Sequence, residues 1–201
     1  ASGDVNGMTV SYYQASKDQF AGMSSARLSI DMGDLGTLAF DQGSGSGLGT
    51  IDDKTPTAAE EIWDGLDNFD SAAGVAGLVG TAGASGSWNY IKSMGGVTFN
   101  GAVRRGSAAK NADGASSGAG QSAWDFALTG TGDMVGIDGL SWGAGHGVAE
   151  TGSQANTAGS PTDDEHFTGF INYSMGPMTF GYQESHIAGG DVGANDETTQ
   201  A

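Results

Sequence analysis

The chain is 201 residues long, with Gly at 37 positions, charged residues at 15%, no Cys and a net charge of −17. Average chains carry roughly 7% Gly and about 25% charged residues, so this composition fits neither a helix bundle nor an ordinary charged soluble surface. The acid excess repels nucleic acid and anionic membrane surfaces and favours cations. The lack of Cys removes disulfides and thiol chemistry and suits export through an oxidising compartment.

Ala1 to Gly7 have neither the charged nor the apolar region of a leader, so any leader is expected to have been removed. No apolar run reaches the roughly 18 residues of a membrane helix. Period-two alternation begins at Met8-Thr9-Val10-Ser11-Tyr12, with Met8, Val10 and Tyr12 on one face and Thr9 and Ser11 on the other. It returns at Ala26 to Asp31, Thr37 to Asp41, Ser87 to Lys92, Val97 to Asn100, Trp124 to Leu128, Leu140 to Val148, His166 to Tyr173 and Met178 to Tyr182. These runs predict about nine strands, and helical periodicity is confined to one loop.

That loop runs from 42 to 86. Gly43 to Gly49 is a Gly/Ser linker, and Thr57-Ala58-Ala59-Glu60 matches a capping box, predicting a short helix over Ala58 to Leu66. The loop gathers carboxylates at Asp52, Asp53, Glu60, Glu61, Asp64, Asp67 and Asp70. Elsewhere the connections alternate in length. Short turns at Met32 to Gly36, Ser93 to Gly96 and Ser174 to Pro177 take turns with long polar stretches such as Gly106 to Gln121 and Thr151 to Glu165. Such alternation is a habit of outer-membrane barrels, whose turns are short on one side and whose loops are long on the other. One hairpin pattern occurs twice, at Asn89 to Phe99 and Asn172 to Phe180, each with Tyr entering and Thr-Phe leaving a Gly turn.

The sequence resembles the general porins of Gram-negative bacteria, particularly alphaproteobacterial ones. The likeness is carried by Gly33-Asp34-Leu35-Gly36-Thr37-Leu38-Ala39-Phe40, Ile51 to Pro56, Glu60 to Asp64, Gly139 to Gly145 and Met175 to Gln183. It implies an all-β fold: an antiparallel transmembrane β-barrel of roughly 16 strands, of which this chain would be an incomplete internal segment forming one domain over 1–201. It implies that the loop at 42–86 folds inward as the pore constriction and that Arg27 and Arg104, on polar strand faces, form a basic pore wall opposite its carboxylates. An arginine facing lipid would cost about 2–4 kcal/mol near the midplane, which also favours a wet lumen for both. The resemblance further implies a bacterial outer-membrane location, lipid and lipopolysaccharide around the barrel, passage of small hydrophilic solutes and cations, a homotrimer, no nucleic acid and no cofactor.

The alternative is a secreted, acidic, Gly-rich β surface or adhesin module binding Ca2+ through carboxylates such as Asp163, Asp164, Glu165 and those from Asp191 to Glu197. It lacks the Gly-Gly-x-Gly-x-Asp repeat of a calcium-loaded β-roll. An enzyme is not expected. His146, His166 and His186 have no metal-site spacing, and Gly43-Ser44-Gly45-Ser46-Gly47 matches a nucleophile elbow only inside linker sequence.

Overall fold

The computed structural model describes residues 1–16, 22–42, 47–51, 54–56, 86–104, 122–150, 163–188 and 197–200. Eleven strands make it all-β: β1 (Ser2–Val5), β2 (Met8–Ser16), β3 (Met23–Asp31), β4 (Thr37–Gln42), β5 (Ser87–Met94), β6 (Val97–Arg104), β7 (Ala123–Thr131), β8 (Leu140–Glu150), β9 (Asp163–Met175), β10 (Met178–Ala188) and β11 (Glu197–Gln200). They form one sheet in chain order, with every neighbouring pair antiparallel. β1 and β11 bound it, and no ladder joins them among the described residues. Nor do these residues contain a helix long and apolar enough to cross a membrane. The helix expected over Ala58 to Leu66 lies outside the described residues.

The nine expected runs fall within β2 to β10, and the structure adds β1 and β11. β1 reads Ser-Gly-Asp-Val and has no apolar alternation to reveal it. Its signal is the turn that follows. Asn6 and Gly7 take φ of 53° and 79°, the left-handed pair that a two-residue hairpin of matching twist requires. The described connections 6–7, 32–36, 95–96, 132–139 and 176–177 all join strands at one end of the sheet, and in sequence they alternate with the connections that begin after β2, β4, β6, β8 and β10.

Register divides the side chains into two sets. The outer face carries Met8, Val10, Tyr12, Leu28, Ile30, Phe40, Trp88, Tyr90, Phe99, Trp124, Phe126, Trp142, Phe167, Ile171, Tyr173, Phe180 and Tyr182. Many are openly exposed, Phe180 at 59% and Ile171 at 50%. Rings meet across strands: Phe40 and Trp88 edge to face at 5.3 Å, and Phe99 stacked on Phe126 at 6.2 Å. The inner face carries Thr9, Ser11, Arg27, Ser29, Asp41, Asn89, Thr98, Asp125, Thr168 and Gln183.

Hydroxyls pair across the strands on that inner face. Ser11 Oγ lies 2.7 Å from Ser29 Oγ and Thr168 Oγ1 2.6 Å from Ser185 Oγ. The repeated hairpin pattern produces the same contact twice, Ser93 with Thr98 at 2.9 Å and Ser174 with Thr179 at 3.0 Å. Each such pair contributes roughly 0.2–1 kcal/mol to the sheet.

Burial runs opposite to that of a water-soluble protein. Among the described residues, the buried apolar side chains are Leu48, Ile51 and the small Ala39, Ala102, Ala123 and Ala127. Asp41, Ser87, Asn89, Asp125, Thr168, Gln183 and Ser185 are buried as well.

Candidate functional site

Two of these polar groups, Asp125 and Gln183, are covered by the chain that follows β4. Residues 47–51 and 54–56 lie over the inner face as a strap. It opens with a 3-10 turn, Gly47–Thr50, closed by the Thr50 hydroxyl donating to the Gly47 carbonyl at 2.6 Å. A lone segment crossing a sheet face has no ladder for its backbone groups, so side chains of the wall must satisfy them.

They do so from four strands. Gly47 N–H donates to Asn100 Oδ1 of β6 at 3.0 Å, and Leu48 N–H to Asp125 Oδ1 of β7 at 3.0 Å. Further along, Lys54 N–H donates to Gln183 Oε1 of β10 at 2.7 Å. Gln183 Nε2 donates to the Ile51 carbonyl at 3.1 Å, and Asn172 Nδ2 of β9 donates to the Lys54 carbonyl at 2.5 Å. Leu48 and Ile51, both fully buried, pack with Ala127 and Phe170 in the largest apolar cluster among the described residues. Burying two aliphatic side chains of that size contributes roughly 1.5–3 kcal/mol each.

Strand β8 makes room for the strap by omission. Gly143, Gly145 and Gly147 are opposite the inward Thr129, Ala127 and Asp125, so the middle of its inner face has no side chains. A Cβ at Gly145 would run into Leu48 and the Phe126 carbonyl, and one at Gly143 into the ring of Phe170. Gly181 of β10 likewise yields to Pro56.

Of the expected basic wall, Arg27 is on the inner face, where its Nη1 donates to Asp41 Oδ2 at 3.1 Å across the β3–β4 pair. The Asp41 side chain is wholly buried and that of Arg27 is 20% exposed. Arg104 ends β6 on the same face, opposite Ser87 and Ala123. The two arginines therefore share a face but stand on β3 and β6, with β4 and β5 between them. The expected constriction carboxylates Asp52, Asp53, Glu60, Glu61, Asp64, Asp67 and Asp70 lie outside the described residues. The neighbours of the first two, Ile51 and Lys54, are both held on the inner face through Gln183.

The histidines are not brought together. His146 faces outward between Trp124 and Phe126, with ring centroids 5.6 and 6.5 Å away and Glu165 Oε2 at 3.9 Å. His186 shares the outer face, while His166 is on the inner one. No group of three or more His, Asp or Glu side chains converges on a metal-sized point among the described residues.

Sequence reading missed Asn100, Asp125, Asn172 and Gln183 as anchors, since polar residues are expected anywhere on a wet face. The available signal was Gly143-x-Gly145-x-Gly147. Glycine repeated on one face of a strand marks a surface that another backbone approaches closely. No protein-family model matches the chain, and no curated protein is significantly similar to it.

Proposed function

We propose that the chain forms the wall of a transmembrane β-barrel of the outer-membrane porin type, a passive water-filled channel for small hydrophilic solutes and ions. One observation carries this reading: many large apolar side chains share one face of the sheet and stay exposed, while the face under the strap is polar and hydroxyl-rich. Lipid is the environment that buries such an outer face, and a lumen is the one that hydrates such an inner face. The alternation of short and long connections along the sequence adds support.

In this reading the strap narrows the lumen, and Arg27 and Arg104 belong to the wall it faces. The loop carboxylates Asp52, Asp53, Glu60, Glu61, Asp64, Asp67 and Asp70 set a negative potential. With 24 acidic against 7 basic residues, and charge nearly barred from lipid-facing positions, the channel prefers cations. The setting is a bacterial outer membrane with lipopolysaccharide outside and three copies associated.

Two measurements test it together. The purified protein should need detergent to stay in solution and should change gel mobility on heating, and it should insert stepwise conductances into a planar bilayer. A protein that remains monodisperse without detergent and forms no channels would defeat the proposal and favour a Ca2+-binding surface module.

A further inference from the structure

The strap's two ends are held differently. Its start is close to the covalent end of β4 at Gln42, so the chain itself keeps Gly47 and Leu48 near Asn100 and Asp125. Its far end, Lys54, is separated from β5 by residues 55–86, and among the described residues it is held by side chains of β9 and β10. There the wall must do the holding.

Gln183 is built for that role. It is 8% exposed, and its carboxamide offers the same acceptor and donor as a peptide unit. Oε1 accepts from Lys54 N–H at 2.7 Å while Nε2 donates to the Ile51 carbonyl at 3.1 Å, so one side chain pairs with the strap backbone as a neighbouring strand would. The orientation is fixed by its partners, since an N–H needs the oxygen and a carbonyl needs the NH2. A third contact, Nε2 to Thr168 Oγ1 at 3.3 Å, ties the carboxamide to a hydroxyl already paired with Ser185.

We propose that Gln183 is the positioning residue of the strap: its carboxamide fixes Ile51 and Lys54 against the wall, and its loss leaves that end on the Asn172 hydrogen bond while the Asp125 end stays seated. The conductance part of the test below rests on the pore reading; the proteolysis part does not.

The test is limited trypsin digestion of the folded protein in detergent, with fragments identified by mass. Lys54 has an exposed side chain, and docking of its backbone N–H and carbonyl keeps the following bond out of a protease cleft. Gln183→Leu removes both hydrogen bonds to the strap. At about fivefold in the docked-to-free equilibrium for each, cleavage after Lys54 should rise about 25-fold. Gln183→Asn draws the carboxamide back by one methylene and should give a smaller rise. Should Gln183→Leu fail to fold, Gln183→Asn carries the test. Ser11→Ala, which removes an inner-face hydroxyl pair on β2 and β3, strands that make none of the strap's hydrogen bonds described above, should cleave as the parent does.

Parent-like cleavage after Lys54 in both Gln183 variants, with heat-modifiable mobility intact, overturns the proposal. In bilayers, Gln183→Leu should give larger and noisier single-channel currents. Faster cleavage with unchanged currents would uphold the positioning role and count instead against the strap as the narrowing of a pore.

Discussion

Ile171→Arg separates a lipid-facing sheet from a wet one by the sign and size of its effect. Ile171 is in mid-β9 on the outer face, 50% exposed, with Trp142 and Tyr182 as its cross-strand neighbours. Against lipid, arginine near the midplane costs about 2–4 kcal/mol. Against water, the same change at an exposed site stays within about 0.5 kcal/mol, because it only exchanges an apolar for a charged surface group. The paired control is Thr9→Arg on the inner face, exposed and standing between Asp4 and Asp31 on the adjacent strands. There an arginine meets two carboxylates, and its effect should be neutral or favourable by up to about 1 kcal/mol. Urea titration of refolding into vesicles, read by the heat-modifiable gel shift, measures both. Equal stability for the two variants would refute the assignment of the outer face to lipid.

Removing the guanidinium from the buried Asp41 should also be visible: Arg27→Ala is expected to cost about 2 kcal/mol in the same titration, with part of the loss recovered when Asp41→Ala is added. The Glu60→Gln, Glu61→Gln variant should lower cation preference, measured as a smaller reversal potential across a salt gradient. In the parent that preference should itself fade between 0.1 and 1 M salt as the Debye length falls from about 10 to about 3 Å. A preference constant across that range would mean that fixed carboxylates do not set it.

The sheet was legible because its signal is local. A period of two assigns Met8, Val10 and Tyr12 to one face and Arg27, Ser29 and Thr98 to the other, and the register agrees at each of these positions. Tyr13 shows where the pattern gives out. Adjacent to Tyr12 and equally aromatic, it must fall on the opposite face, across from Arg27 and 45% exposed. The strap's docking was not legible for a different reason. Its anchors pair residues as distant as Gln183 and Ile51, 132 positions apart, and no periodicity links a carboxamide on one strand to a carbonyl on a loop. Only the missing side chains at Gly143, Gly145 and Gly147 left a trace in the sequence.

The strap and the sheet then depend on different solvents. Among the described residues the sheet's own buried apolar side chains are alanines, which enclose little apolar surface against the entropy of ordering a chain. In the proposed porin reading the outer belt supplies that burial, and lipid or detergent receives it. The strap adds the Leu48–Ile51–Ala127 cluster, but it does so on a polar face where water can replace it. Were it to lift, Asp125, Asn172 and Gln183 would exchange strap backbone for water, giving up the net gain of those hydrogen bonds and the burial of Leu48 and Ile51 but no strand pairing. Strap position can therefore change without unfolding the wall. In the proposed pore such a separation lets a few side chains, Gln183 among them, set the width of the aqueous path independently of what holds the sheet together.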